Sequence, residues 1–121
     1  MSYAGNAYNK TAAVTAAPRE VEAQALINSA TRLHQICANW DERKQDLSKE
    51  LLTNRKIWTV FMESMMVDGC PHPKELRENI VNLGVFVVKR TLELGADASP
   101  EKVSALIGIN QNIAAGLRGR A

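Results

Sequence analysis

Apolar side chains recur along this chain at steps of three and four residues, and two of the resulting seams carry an asparagine in their middle. One seam runs Leu47, Leu51, Asn54, Trp58, Phe61, Met65, and another runs Val103, Leu106, Asn110, Ile113, Leu117. Such steps place each set on one face of an α-helix. An amide on an apolar face is short of partners unless another element supplies them. A buried asparagine therefore specifies which helix meets which, and in what register, at some cost in stability. The pattern predicts helices built to pair specifically, with each other or with a partner.

The remaining seams complete an all-α reading. Pro18 suits a first helical turn, with Glu20 and Glu22 where the helix dipole favours negative charge. Ala23, Leu26, Ala30, Leu33, Cys37 and Trp40 then line one face, flanked by Ile27 and Ile36, giving a first helix that ends near Asn39. A second helix is expected from Asp41 to about Val67, stopped by Asp68-Gly69, Pro71 and Pro73. The junction at Trp40 holds neither glycine nor proline, so a break or one long helix both satisfy the pattern; we expect the break. Pro73 opens a third helix with Leu76, Ile80, Leu83 and Val87 on its face, widened by Val85, Phe86 and Val88, and with Gly95 as its C-cap. Ser99-Pro100-Glu101 is a helix start, a capping residue followed by proline at the first helical position, and the fourth helix runs to about Leu117. The expected architecture is a compact bundle of about four helices with short connections, its core including Leu26, Leu33, Trp58, Phe61, Ile80, Leu83, Leu106 and Ile113. Residues 1–17, alanine-rich and polar with Tyr3, Tyr8 and Lys10, read as a flexible segment ahead of a single helical domain over 18–121. The sharper alternative is a segment that orders on a partner, with the two tyrosines as anchors.

Composition narrows the function classes. With 121 residues the chain suffices for one domain, and aromatics at 5% leave the core to aliphatic side chains and alanine. Fifteen Lys and Arg against thirteen Asp and Glu leave +2, mixed in sign along the chain, which predicts no polyanionic partner and disfavours direct nucleic-acid binding. No basic start precedes an apolar run, and no stretch approaches the roughly 20 apolar residues of a membrane span. Two cysteines are too few for a disulfide framework, so the expectation is a cytoplasmic protein without membrane insertion.

Candidate chemistry is sparse. His34 and Cys37 stand three apart on the first helix, and Cys70 and His72 two apart in the following loop. They supply enough ligands for zinc, but the spacing fits no common zinc motif and Cys37 already belongs to an apolar seam. Cys70 beside His72 is a poor nucleophile pair on a proline-bracketed loop with no orienting third group. There is no glycine-rich phosphate loop. The expectation is a non-enzyme with no cofactor and no metal. Met62, Met65 and Met66, beside Phe61 and Trp58, read first as core and second as an adaptable partner groove. Arg77, Asn79 and Asn82 lie beside the third apolar face, and with Asn54 and Asn110 suggest a hydrogen-bonded network at helix contacts.

Three segments, taken in order, resemble the FlaF family of flagellar biosynthesis regulators of alphaproteobacteria. They are Leu51-Leu52-Thr53-Asn54-Arg55-Lys56-Ile57-Trp58; Glu75-Leu76-Arg77-Glu78-Asn79-Ile80-Val81-Asn82-Leu83 with Phe86-Val87; and Leu106-Ile107-Gly108-Ile109-Asn110-Gln111-Asn112-Ile113-Ala114-Ala115-Gly116-Leu117. The likeness covers about Glu22 to Leu117. It implies a small cytoplasmic protein controlling flagellin production alongside the partner regulator FlbT. Two mechanisms follow from it: an export chaperone that holds flagellin by its helical termini, or a post-transcriptional regulator of flagellin mRNA acting directly or through FlbT. Weak charge and few aromatics favour the first. A self-associating structural bundle is a third reading, which predicts a stable homodimer. The expected partner surface is Asn54, Trp58, Arg77, Asn79, Asn82 and Asn110.

Overall fold

The computed structural model describes the backbone of residues 3–119 and the side chains of residues 19–119. The expected flexible segment 1–17 lies outside the residues whose side chains are described. The helices are α1 (Tyr3–Ala38), α2 (Trp40–Arg43, a single turn), α3 (Leu47–Met66), α4 (Lys74–Leu94) and α5 (Pro100–Leu117), with a 3₁₀ turn at Lys44–Asp46 between α2 and α3. There is no strand among the described residues.

The four seams become one core. α1 buries Ala23, Leu26, Ala30, Leu33 and Ile36, while Cys37 and Trp40 are only half-buried. α3 buries Leu47, Leu51, Asn54, Trp58, Phe61 and Met65, as its periodicity predicts, together with Glu50. α5 buries Val103, Leu106, Ile107, Asn110, Ala114 and Leu117, with Ile113 half-buried against them. α1 packs along α5 on one side and α3 on the other; α4 packs on the far side of α3 and touches α5 lightly, closing the bundle.

The joints follow local chemistry. The break predicted near Trp40 is real: Asn39 leaves the helical region at φ −126° and ψ 47°, and its side chain donates to the Gln35 carbonyl at 3.0 Å, closing the end of α1. Gly69 supplies φ +80°, a left-handed conformation that side chains resist, and ends the α3–α4 connection's first turn. Ser99 caps α5 by accepting from the Lys102 amide at 3.3 Å, with Pro100 behind it. Gly95 departs from expectation. It stays right-handed at φ −61° and ψ −26°, and α4 ends through tight backbone bonds from Gly95 and Ala96 to the carbonyls of Leu92 and Glu93. The widened face of α4 is also corrected. Its buried residues are Ile80, Gly84, Val87, Thr91 and Leu94, Leu83 is half-buried, and Val85 and Phe86 face solvent. Gly84 lets α3 approach, because a Cβ there would overlap Met62 Sδ.

Ion pairs tie the surface of α1 to its neighbours. Arg118 forks onto Glu20, with Nη2 at 2.8 Å from Oε1, and so anchors the end of α5. Arg32 and Ser29 both donate to the buried carboxylate of Glu50, at 2.7 and 3.1 Å, and lock α1 to the start of α3.

Candidate functional site

Asn110 sits where three helices meet. Its Oδ1 accepts from Trp58 Nε1 at 2.8 Å, while its Nδ2 donates to Asn54 Oδ1 at 2.8 Å and to the Leu26 carbonyl at 3.1 Å. Asn54, Trp58 and Asn110 are fully buried. One amide thus joins α5 to both α3 and α1, the pairing role that an asparagine within an apolar seam predicts. Asn54 Nδ2 is buried without a protein partner, part of the cost that such pairing carries.

This placement corrects two expectations. The network does not extend to Asn79 and Asn82, which are exposed on α4. Asn54, Trp58 and Asn110 have no surface with which to touch a partner. Arg77, partly buried, donates from Nε to the His72 carbonyl at 3.1 Å and steadies the α3–α4 connection. It also lines a shallow depression of about 350 Å³ with Met65, Met66, Lys74, Glu78 and Val81. Met66, read from the sequence first as core, is exposed beside Arg77, and the sequence assigned to a partner three residues that hold the interior.

The polar centre nonetheless supports a surface that the sequence did not reveal. Phe61 meets Trp58 edge-on, 5.6 Å between ring centroids, and forms the floor of a groove between α1 and α3. Val21, Ala25, Ile57 and Val60 line that groove, which encloses about 360 Å³. Val21 and Val60 on its walls are 67% and 66% exposed, so the apolar faces of α1 and α3 do not close on each other here. Only Glu22, Lys56 and Ser64 bring polar groups to it. Phe61 was legible as part of the α3 seam, but the opening between α1 and α3 was not.

Glu22, at the groove, is held by Ser64 of α3 and His72 of the α3–α4 connection. His72 Nε2 lies 3.5 Å from Glu22 Oε1, and Ser64 Oγ lies 3.2 Å from Oε2 and 2.7 Å from the Phe61 carbonyl. The single hydroxyl proton of Ser64 serves one of these acceptors at a time. Cys37 is far from this cluster: fifteen residues of α1 separate it from Glu22, about 22 Å along the helix. Its thiol lies 3.9 Å from the Pro100 carbonyl, and burial, then the nearby Glu101 charge, push its pKa above the ordinary thiol value. His34 is exposed. The four sulfur and imidazole ligands therefore do not converge, and no group of three or more metal-ligating side chains occurs among the described residues.

No helix among the described residues is long and apolar enough to cross a membrane. Among known proteins, the family model for flagellar protein FlaF matches residues 4–117. No curated protein and no solved structure matches the chain. That match spans all four long helices, the buried Asn54–Trp58–Asn110 centre and the groove it supports, and the chain belongs to the FlaF family of flagellar proteins.

Proposed function

We propose that this protein controls flagellin production by binding flagellin in the cytoplasm as an export chaperone, working together with an FlbT-like regulator and catalysing no reaction. The observation that carries this reading is the open α1–α3 groove, walled by exposed Val21 and Val60 and floored by Phe61. In an all-helical protein the backbone groups are satisfied within the helices, so a partner is recognised through side chains. An amphipathic helix laid into an apolar groove is the corresponding mode. Its anchors would replace water over Val21, Ile57 and Val60, at about 25 cal/mol for each Å² of apolar surface covered. The FlaF family match supplies the flagellar context.

A tagged pull-down from flagellated cells, with bound protein and bound RNA both identified, tests it. Flagellin retained by the bait after nuclease treatment is the expected result. Recovery of FlbT with flagellin mRNA, lost on nuclease treatment and without direct flagellin capture, would replace the chaperone by the translational regulator. A stable homodimer that captures neither would favour the plain structural bundle.

A further inference from the structure

The other flank of α3, walled by α4 instead of α1, carries a second groove of about 710 Å³. Leu47, Leu51 and Leu94 are its buried floor, and Leu52, 41% exposed, stands at its edge. Lys44, Lys49 and Arg55 line it, and no carboxylate does. We propose that this groove is a separate docking site for an acidic amphipathic helix of a protein partner.

Charge complementarity carries the choice of occupant. Lys44, Lys49 and Arg55 have no carboxylate within salt-bridge distance among the described residues; Arg19, Lys56, Arg77, Lys89 and Arg90 also lack one, but three of all these unpaired cations line this one groove. Three carboxylates close in sequence to these residues are engaged elsewhere, Asp46 by Arg43, Glu50 by Arg32 and Asp97 by Lys102, and Asp41, Glu42 and Glu93 do not line the groove. A protein of net charge +2 thus gathers three uncompensated cations around one apolar trough. An occupant matched to it presents apolar residues inward and carboxylates along both flanks. It is a helix because the trough lies between two helices and offers no unpaired strand edge. This groove shares no lining residue with the α1–α3 groove. With the proposed client in the α1–α3 groove, this second groove stays free for another partner.

Fluorescence anisotropy on the full chain tests the proposal with a synthetic helical peptide carrying leucines at i, i+3, i+4 and i+7 and glutamates on both flanks. The same peptide with lysine in place of glutamate is the comparison. Because neither peptide contains flagellin sequence, the result is independent of whether flagellin is the client. The expected result is saturable binding of the glutamate peptide, weakened by salt, with little binding of the lysine peptide. Lys49→Glu with Arg55→Glu, checked for an unchanged circular dichroism melt, should weaken the glutamate peptide about tenfold or more and favour the lysine peptide. Leu52→Asp provides a second variant on the apolar edge and should weaken the glutamate peptide as well. Equal binding of both peptides, no binding of either, or indifference to both the charge reversal and Leu52→Asp would overturn the proposal. Binding of a single-stranded RNA in place of the glutamate peptide, lost on the charge reversal, would assign the cations to nucleic acid and equally overturn it.

Discussion

Asn110 accepts from Trp58 and donates to Asn54 and the Leu26 carbonyl, so removing its amide strands polar groups on two other helices. Each buried group left unpaired costs about 1–3 kcal/mol. Asn110→Ala should therefore destabilise the fold by roughly 3 kcal/mol, and Trp58→Phe, which orphans the Asn110 oxygen and leaves a cavity beside the smaller ring, by about 2–3 kcal/mol. Urea denaturation checks this through a lowered midpoint at unchanged slope. Asn82→Ala, on the exposed face of α4, should stay within about 0.5 kcal/mol of the parent. Equal effects at Asn82 and Asn110 would remove the buried network from the account. The sequence distinguished Asn110 from its neighbours because apolar residues flank it on both sides of the same helical face. It could not distinguish Asn79 and Asn82, since an amide at the edge of a stripe reads alike whether the next helix covers it or water does. Cys37 adds a pH signature. Its folded pKa lies above the ordinary thiol value of 9.0, so above that pH the unfolded chain holds fewer protons than the native one. The contribution is intact below pH 9 and is lost as pH rises through the folded pKa. Cys37→Ala should therefore flatten the alkaline decline in stability relative to the parent, read from denaturation midpoints at successive pH values.

Helix starts and stops were more legible than helix contacts. Ser99-Pro100 and Asp68-Gly69 act through chemistry confined to a few residues, and both operate in the structure as their types predict. Ser99→Ala should cost about 1 kcal/mol, seen as a lowered melting temperature, because the Lys102 amide loses its acceptor. Gly95 misled for a related reason: glycine permits the left-handed cap without requiring it, and tight right-handed bonds end α4 instead. Gly84 had no local signal at all, since its role depends on where Met62 of α3 arrives. A methyl group there gains roughly 1 kcal/mol of helix propensity but overlaps Met62, and overpacking costs about 1–3 kcal/mol. Gly84→Ala should be neutral to destabilising in the parent. In a Met62→Ala background the same change should become stabilising by about 1 kcal/mol, a double-mutant cycle that isolates the α3–α4 contact. Val85 and Phe86 show the same limit from the other side. Their apolar character widened the expected face, but α4 presents a different stripe, through Ile80, Gly84, Val87 and Thr91, to its neighbours.

At the scale of the whole molecule, helix-pairing specificity and the proposed recognition surface occupy different layers. The asparagine centre fixes how α1, α3 and α5 sit, and through Trp58 and Phe61 it sets the floor of a groove that remains open to solvent. Periodicity sufficed for the existence of the four long helices and most of their buried faces, but not for the start of α3, expected at Asp41 and found at Leu47 after two short turns. Whether two apolar faces close or stay apart depends on distances between helices that no single segment encodes, so the expected surface of Asn54, Trp58, Arg77, Asn79, Asn82 and Asn110 included three residues that are buried in the core. The most direct measurement is calorimetric titration of purified, nucleic-acid-free protein with monomeric flagellin, in parallel with Val60→Glu. Val60 is exposed on the groove wall, so the variant should keep the parent's circular dichroism melt. The account predicts saturable binding to the parent and a loss of about tenfold or more in affinity for Val60→Glu, as a charge is buried against an apolar client. No heat of binding to the parent, or equal affinity for parent and variant, would contradict it.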